Sequence, residues 1–320
     1  MTYSVAIRTL GTSPCLRQEL ESIHSQTVAP EKIVIYIAEG YAKPAFTVGR
    51  EEYVWVRKGM ISQRALQYKE IGSDCILLLD DDVRLSPDSV QRMLEAMEGN
   101  QMDCVGADTF KNHLMSVKGK LFAAVTGWVF PHYDERWAFK IHDCGSFSYI
   151  NNPKKGLYLS QSCAGPCSLW KKNALLRLRW EDELWLEKLG FAYGDDMLEF
   201  YKLYVNGGRL GILFDSGVEN LDAKTASSDH HANIRKFYTR SIASFLVWHR
   251  AIFVPRRTAL ARVWPALSFS MKSLWLLLVN ALAAIAARDV KVLWYYIIGL
   301  RDGIRFVKSQ EYKNLPSYDS

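Results

Sequence analysis

Short apolar runs alternate with amphipathic stretches over the first third of the chain. The runs have the length of buried strands and lie at residues 3–9, 32–37, 53–56, 75–79 and 104–107. Helical spacing of apolar side chains predicts helices near residues 16–25, 62–71 and 87–97, with Ser86 and Pro87 as cap and first turn of the last one. This order predicts an α/β fold with a mostly parallel sheet and right-handed crossovers, an architecture that holds nucleotides.

The later part of the chain continues the alternation and then changes character. A short strand is predicted at residues 168–170, a helix from Gly194 to Val205, and a strand at residues 210–214. A chain of 320 residues is long for one domain. We therefore expect a catalytic domain over residues 1–230 and a basic, apolar helical extension over residues 231–320.

Three consecutive acids, Asp80, Asp81 and Asp82, follow the apolar run of residues 75–79. Ligands bind at the carboxyl ends of strands in open α/β sheets. Carboxylates packed this closely repel one another unless a cation neutralises them, and hard oxygen donors suit Mn²⁺ or Mg²⁺ completed by substrate phosphate. The alternative is an acidic turn that caps the next helix. No glycine-rich phosphate loop is present, so a bound diphosphate would be held through metal.

Composition narrows the class of protein. Hydrophobic residues make up 49% of the chain, which excludes disorder. The six cysteines are scattered, as expected for reduced thiols in a cytoplasmic protein. A strand begins at Tyr3, so we expect no signal peptide.

Positive charge is concentrated in the tail. Ten basic and two acidic residues lie between Arg250 and Lys308, a net charge of +8, whereas the whole chain carries +6. The apolar run of residues 273–287 is marginal for a membrane span, and aromatic residues lie among the cations. An in-plane amphipathic helix pair on the inner membrane fits this pattern, and a packed helical subdomain is the alternative. Nucleic acid is not expected, because long apolar runs make a poor phosphate-tracking groove.

A second acidic motif, Asp195-Asp196, opens the predicted helix after Gly194. Aspartate is favoured at helix amino termini, so one of the two could simply cap the helix. Burial or a neighbouring carboxylate would instead raise the pKa of an acid toward that of a general base.

In this order the motifs resemble those of inverting family-two glycosyltransferases with the GT-A fold, particularly the bacterial polysaccharide and O-antigen enzymes, rhamnosyltransferase-like ones among them. The resemblance covers roughly residues 3 to 215. Asp80-Asp81-Asp82 is similar to the family's DxD motif, and Gly194-Asp195-Asp196 to its acid pair. The first strand, which ends at Thr9, and the segment from Gly59 to Arg64 also match.

The resemblance implies a role for each matching residue. Asp82 and Asp80 would bind the metal, and Asp196, paired with Asp195, would be the base. The expected nucleotide-sugar contacts are Thr9, Arg64, Asp80 and Asp81. The family's second strand normally ends in an acid followed by glycine; here Glu39 precedes Gly40 and would take that acid's place. His231 is the preferred extra metal ligand, although a surface histidine is the alternative.

The implied activity is a metal-dependent, inverting transfer of a sugar from a nucleotide-sugar donor to a saccharide acceptor. The basic tail suggests a lipid-linked acceptor and a peripheral position on the inner membrane. Two other readings stay open: a sugar-phosphate nucleotidyltransferase, for which residues 8–13 would be a poor triphosphate loop, and a non-catalytic membrane-associated scaffold.

Overall fold

The computed structural model describes residues 1–109, 136–150, 152–189, 193–221 and 230–319, with the backbone alone for residues 230–234, 283 and 287. The strands are β1 Tyr3–Thr9, β2 Ile33–Ala38, β3 Glu51–Val56, β4 Cys75–Asp80, β5 Val83–Leu85, β6 Cys104–Ala107, β7 Phe139–Ile141, β8 Phe147–Tyr149, β9 Gly156–Ser160, β10 Cys167–Lys171, β11 Leu210–Phe214 and β12 Val218–Asn220. The α-helices are α1 Leu16–His24, α2 Ser89–Gly99, α3 Lys172–Arg177, α4 Asp195–Val205, α5 His230–Trp248, α6 Ala259–Ala287, α7 Lys291–Val307 and α8 Gln310–Lys313. A 3₁₀ segment covers Trp180–Leu189, and a π-helical turn covers His249–Phe253.

Eight strands form one twisted sheet in the order β3-β2-β1-β4-β10-β6-β11-β9. Neighbours from β3 to β4 are parallel, β10 runs antiparallel between β4 and β6, and β9 is antiparallel to β11. The mostly parallel sheet predicted from the alternation is therefore confirmed. Because β10 runs against β4, the segment just before Cys167 lies at the same edge as the end of β4.

The sheet is buried on both faces, which explains the uninterrupted apolar runs. In β4, Cys75, Leu77 and Leu79 pack into the core shared with α1 and α2. The alternate residues Ile76 and Leu78 pack on the other face with Trp170 and α4. Strand ends in such a sheet are held firmly, and the candidate site residues Thr9 and Asp80 lie at two of them.

Two predicted local features differ in the structure. No helix forms over residues 62–71: the Ile61 and Ser62 N–H groups both donate to Glu187 Oε1 at 2.7 Å, and Tyr68 has a left-handed φ of 47°. Helix α2 begins at Ser89, not at Pro87. Asp88, not Ser86, occupies the N-cap position; Ser86 follows β5, and its N–H donates to Gly217 O at 2.8 Å.

The carboxyl-terminal helices pack directly on the sheet domain. A third core joins Trp180, Trp185 and Leu198 to Leu246 and Tyr318. The ring of Trp248 stacks on Phe269 with centroids 4.2 Å apart. Within the described residues one helix, Ala259–Ala286, is long and apolar enough to cross a membrane, and 12% of its apolar window is buried in the protein.

A buried charge network ties this tail to α4. Glu183 is fully buried and accepts from Arg250 at 2.8 and 3.2 Å, and Lys202 Nζ lies 3.6 Å away. Arg250 also donates to Pro316 O at 2.7 Å, and the Tyr318 hydroxyl donates to Leu198 O at 2.6 Å. Removing one partner of such a pair leaves an uncompensated buried charge.

We therefore predict that Glu183→Gln lowers the free energy of unfolding by about 3–5 kcal/mol, as measured by chemical denaturation. Glu219→Gln is the matched control, because Glu219 pairs with Arg84 on the surface; its change should stay within about 1 kcal/mol. Equal effects of the two substitutions would contradict a structural role for the buried network.

Candidate active site

Two charged residues face each other where β1 and β4 end. The register pairs Arg8 with Asp80, and Arg8 Nη2 donates to Asp80 Oδ1 at 2.8 Å. The same nitrogen donates to Gly165 O at 3.3 Å, in the segment that leads into β10. Arg8 is almost wholly buried, whereas 37% of the Asp80 side chain is exposed. The acid thus faces outward from a fixed cation.

The second acid of the motif turns into the protein. The Thr9 hydroxyl donates to Asp81 Oδ2, and the Ser13 hydroxyl donates to Asp81 O at 2.6 Å. Burial raises the pKa of Asp81, and the hydrogen bond from Thr9 opposes that rise. Asp82 precedes β5, and its carbonyl accepts from Leu221 N–H at 2.8 Å. Asp81 therefore holds the loop, while the Asp80 carboxylate stays partly exposed.

The donor set fits a divalent metal only if a ligand completes it. No group of three or more histidine, cysteine, aspartate or glutamate side chains in the described part of the chain could hold a metal by itself. Asp80 and Asp82 supply hard carboxylate oxygens, and Mg²⁺ sites commonly use one or two carboxylates with water and substrate phosphate. The side chain of His231 lies outside the described residues, so its role as a ligand stays a prediction.

A cavity of about 260 Å³ opens beside these residues. Its lining combines two cations, acids and hydroxyls, namely Arg8, Thr9, Leu10, Thr12, Ser13, Met60, Gln63, Arg64, Asp80 and Asp81. Gln63 Nε2 donates to Thr9 O at 3.1 Å, which joins the loop of residues 59–66 to the end of β1. Cations above a carboxylate edge suit an anionic, metal-bound ligand.

Arg64 gathers three carboxylates from one face of α4. Its Nη1 lies 2.6 Å from Asp196 Oδ1, 2.9 Å from Asp195 Oδ2 and 3.6 Å from Glu199 Oε2. Glu199 lies four residues after Asp195 and three after Asp196, and residues at these spacings are neighbours on a helix. Burial opposes the guanidinium charge, but the three carboxylates outweigh it and raise the pKa of Arg64. Arg64 therefore stays positively charged.

Asp195 and Glu199 are more deeply buried than Asp196. Burial raises the pKa of Asp195 to about 6 and that of Glu199 to about 7, although Arg64 lowers both. The Asp196 side chain is 35% exposed, the least buried of the three. Asp196 is therefore the acid of α4 that can meet a substrate.

Glycines bring the two acidic motifs together. Gly194, in the left-handed region at φ 81°, occupies the N-cap position, so neither Asp195 nor Asp196 caps α4. Gly165 N–H donates to Asp196 Oδ2 at 3.1 Å. A Cβ at Gly165 would lie 2.6 Å from Asp196 Oδ1 and 3.0 Å from Arg64 Nη2. A side chain at position 165 would therefore require Asp196 or Arg64 to shift.

The structure brings most of the predicted site residues to one edge of the sheet. Thr9, Arg64, Asp80 and Asp81 line the cavity, and Asp195 and Asp196 reach it through Arg64. Glu39 is exposed after β2, and neither it nor Asp82 lines the cavity.

The sequence analysis missed three residues of this site: Arg8, Gly165 and Glu199. Glu199 could have been found from its spacing of three residues from Asp196. Arg8 and Gly165 gave no local signal, because their partners are distant in the chain.

The raised pKa of Glu199 predicts a pH-dependent stability. Between its ordinary pKa of 4.5 and the folded value of about 7, the folded state keeps a proton that the unfolded state has lost. The stability that Glu199 contributes is therefore complete below pH 4.5 and is lost as the pH rises through 7. Glu199→Gln should match the wild-type melting temperature near the lower pH and exceed it increasingly toward the upper one. The comparison requires thermal melts across this range, with Glu219→Gln as an exposed control. A difference that does not vary with pH would contradict the assignment.

Part of the chain is similar to known glycosyltransferases. Residues 4–151 match the family model described as glycosyl transferase family 2. A Bacillus subtilis protein, the uncharacterized glycosyltransferase YwdF, is 30% identical over 108 residues, which cover 31% of this chain and 39% of that protein. The match thus spans about two fifths of the relative's length.

Solved structures resemble this one at low sequence identity. S. aureus TarS 1–349, in complex with UDP-GlcNAc, has a TM-score of 0.51 and 11% identity, covering 95% of this chain and 81% of that one. The mannosyltransferase PcManGT from Pyrobaculum calidifontis, in complex with GDP-Man and Mn²⁺, has a TM-score of 0.45 and 14% identity, covering 97% and 81%. The predicted GT-A type of fold is confirmed. The similarity to glycosyl transferase family 2 covers residues 4–151, a little under half of the chain.

Proposed function

We propose that this protein is an inverting glycosyltransferase that moves a sugar from a nucleotide-sugar donor to an acceptor hydroxyl. One observation carries the proposal: a continuous series of contacts joins Asp80, Arg8, Gly165 and Asp196. These contacts support the proposal because they hold Asp80, which would face a metal-bound diphosphate, near Asp196, which would act as the base. A transferase that displaces a diphosphate needs these two functions side by side.

The donor end would use Asp80 and Asp82 with Mn²⁺ or Mg²⁺. When bound, the metal would stabilise negative charge on the departing diphosphate. Arg8 and Arg64 both line the cavity, so their guanidinium groups can attract the same anion. Asp81 keeps Asp80 in place through its bonds to Thr9 and Ser13.

At the acceptor end, Asp196 would remove the proton of the attacking hydroxyl. Arg64 donates to one oxygen of its carboxylate at 2.6 Å, and the Gly165 N–H orients the second oxygen. Attack on the anomeric carbon from the face opposite the diphosphate gives a single displacement with inversion. Asp195 and Glu199 hold Arg64 in position beneath Asp196.

For the acceptor we propose a lipid-linked saccharide in cell-surface polysaccharide synthesis, reached from the cytoplasmic side of the inner membrane. The support is the net charge of +8 between Arg250 and Lys308, next to exposed apolar helices. A cationic, apolar surface suits the anionic cytoplasmic leaflet, where such an acceptor would be embedded.

The metal assignment predicts a loss of binding without a loss of fold. Asp82→Ala should abolish Mn²⁺-dependent protection of the protein by nucleotide sugars, because a donor oxygen is removed from the site. The melting temperature of the free variant should change little, since one of three repelling charges is lost. Titration calorimetry with a panel of nucleotide sugars provides the measurement and also identifies the donor. Unchanged Mn²⁺-dependent binding would exclude Asp82 as a ligand.

The base assignment is tested within the acid pair. Asp196→Asn keeps the shape of the side chain but removes its basicity, so turnover should fall about 10²–10⁴-fold while donor affinity stays near that of the wild type. Asp195→Asn is the matched control with a smaller effect on turnover, because Asp195 lies behind Arg64. Both rates are measured at saturating donor beside the melting temperatures. A reversed order would reassign the base to Asp195, and full turnover in both variants would refute the mechanism.

A further inference from the structure

Helix α6 has two chemically different faces. Nine large apolar side chains follow one side of it, each between 45% and 84% exposed. This apolar stripe consists of Leu260, Val263, Trp264, Leu267, Met271, Leu274, Leu278, Leu282 and Ile285. Their spacing of three and four residues keeps them on one side of the helix over its whole length. An exposed apolar surface of this extent marks an interaction site.

The opposite face of α6 is bound to the protein. Phe269, Ser268 and Ala284 are buried there, and Phe269 stacks on Trp248. Near the middle of the helix, Lys272 Nζ donates to Cys144 O at 3.1 Å, in the turn between β7 and β8. Helix α7 holds the same region, since the Tyr296 hydroxyl donates to Ser273 O at 3.3 Å.

These contacts decide how α6 can meet a bilayer. A helix that crosses a membrane has its middle in hydrocarbon, where polar backbone from an irregular turn would be unsatisfied. The middle of α6 instead rests on a polar turn through a charged lysine. Crossing would require this contact and the stacking on Trp248 to break, whereas lying flat preserves both and immerses only the stripe.

The charges at the ends of α6 identify the kind of surface. Arg256 and Arg257 are exposed just before the helix, and Arg288 and Lys291 are exposed just after it. Helix α7 adds Arg301 and Arg305, also exposed. Cations at both ends of an apolar stripe complement an anionic membrane surface.

We infer that α6 lies in the plane of an anionic bilayer, with its apolar stripe in the acyl boundary and its arginines and lysines at the headgroups. The inference rests on the proposed function only for the acceptor: a flat α6 would hold the sheet domain at the membrane surface, where a lipid-linked hydroxyl can reach Asp196. The membrane contact itself needs no sugar chemistry. It can therefore be tested without a donor, and its failure would leave the donor-binding tests unaffected.

The test is flotation of the full chain with vesicles of phosphatidylcholine alone or with an equal amount of phosphatidylglycerol. The wild type should float with the anionic vesicles and be released by high salt or alkaline carbonate. Leu274→Glu combined with Leu278→Glu should weaken partitioning about tenfold or more, because both side chains leave the acyl boundary. Leu159→Glu is the matched control, since Leu159 is 43% exposed on the edge strand β9, and should float normally.

A second pair of variants separates charge from apolar contact. Arg257→Gln and Lys291→Gln, one at each end of α6, should each weaken binding to anionic vesicles about fivefold and leave binding to neutral vesicles unchanged. Melting curves serve as the check that each variant is folded.

Three results would overturn the inference. Release by detergent alone would mean that α6 spans the bilayer. Absence of flotation together with self-association that the leucine pair abolishes would assign the stripe to a second copy of the chain. Equal losses in the leucine pair and in Leu159→Glu would show that the stripe has no special role.

Discussion

The contact between Arg8 and Gly165 is the constraint on which the candidate site depends, because it connects the end of the parallel part of the sheet to the beginning of α4. Arg8 pairs with Asp80, and Gly165 pairs with Asp196 through its N–H. Buried charges are tolerated only when they are paired and hydrogen-bonded. The two acidic motifs are therefore coupled. A shift of Asp80 would disturb Arg8, which holds Gly165, and a shift of Asp196 would disturb Gly165, which holds Arg8.

This connection is possible because the backbone of Gly165, and not a side chain, makes the contacts at its narrowest point. A Cβ at Gly165 would require the side chain of Asp196 or Arg64 to shift. Arg64 then balances three carboxylates with one guanidinium, which leaves the group short of positive charge. Burial raises the pKa of Asp195 and Glu199, and Asp196, the most exposed of the three acids, makes the shortest contact with Arg64.

The tail belongs to the same physical unit as the site. Tyr318 and Arg250 reach α4 and Glu183, so the helix that begins with the acid pair is buried beneath the carboxyl-terminal segment. A boundary at residue 230 remains a prediction about domain organisation, but the packing continues across it. Helix α6 also packs on the protein: one of its faces completes a core, and its other face is apolar and exposed.

The sequence by itself determined what local pattern can encode. Continuous apolar runs predicted β1, β2, β4 and β6, because strands buried on both faces need no polar positions. The acids directly after β4 and at the start of α4 could likewise be read from position alone, since strand ends and helix starts meet at one edge of an α/β sheet.

Tertiary structure decided the rest. Residues 62–71 have the spacing of a helix, yet Glu187 takes the N–H groups of Ile61 and Ser62 and Arg64 turns toward α4. Arg8 and Gly165 contact partners that lie far along the chain, and Glu199 shares Arg64 with the acid pair. A local periodic pattern in the sequence cannot predict contacts of this kind. The orientation of α6 follows the same rule: its composition permits a span, and tertiary contacts such as the bond from Lys272 to Cys144 and the stacking of Phe269 on Trp248 show that its middle is held against the protein.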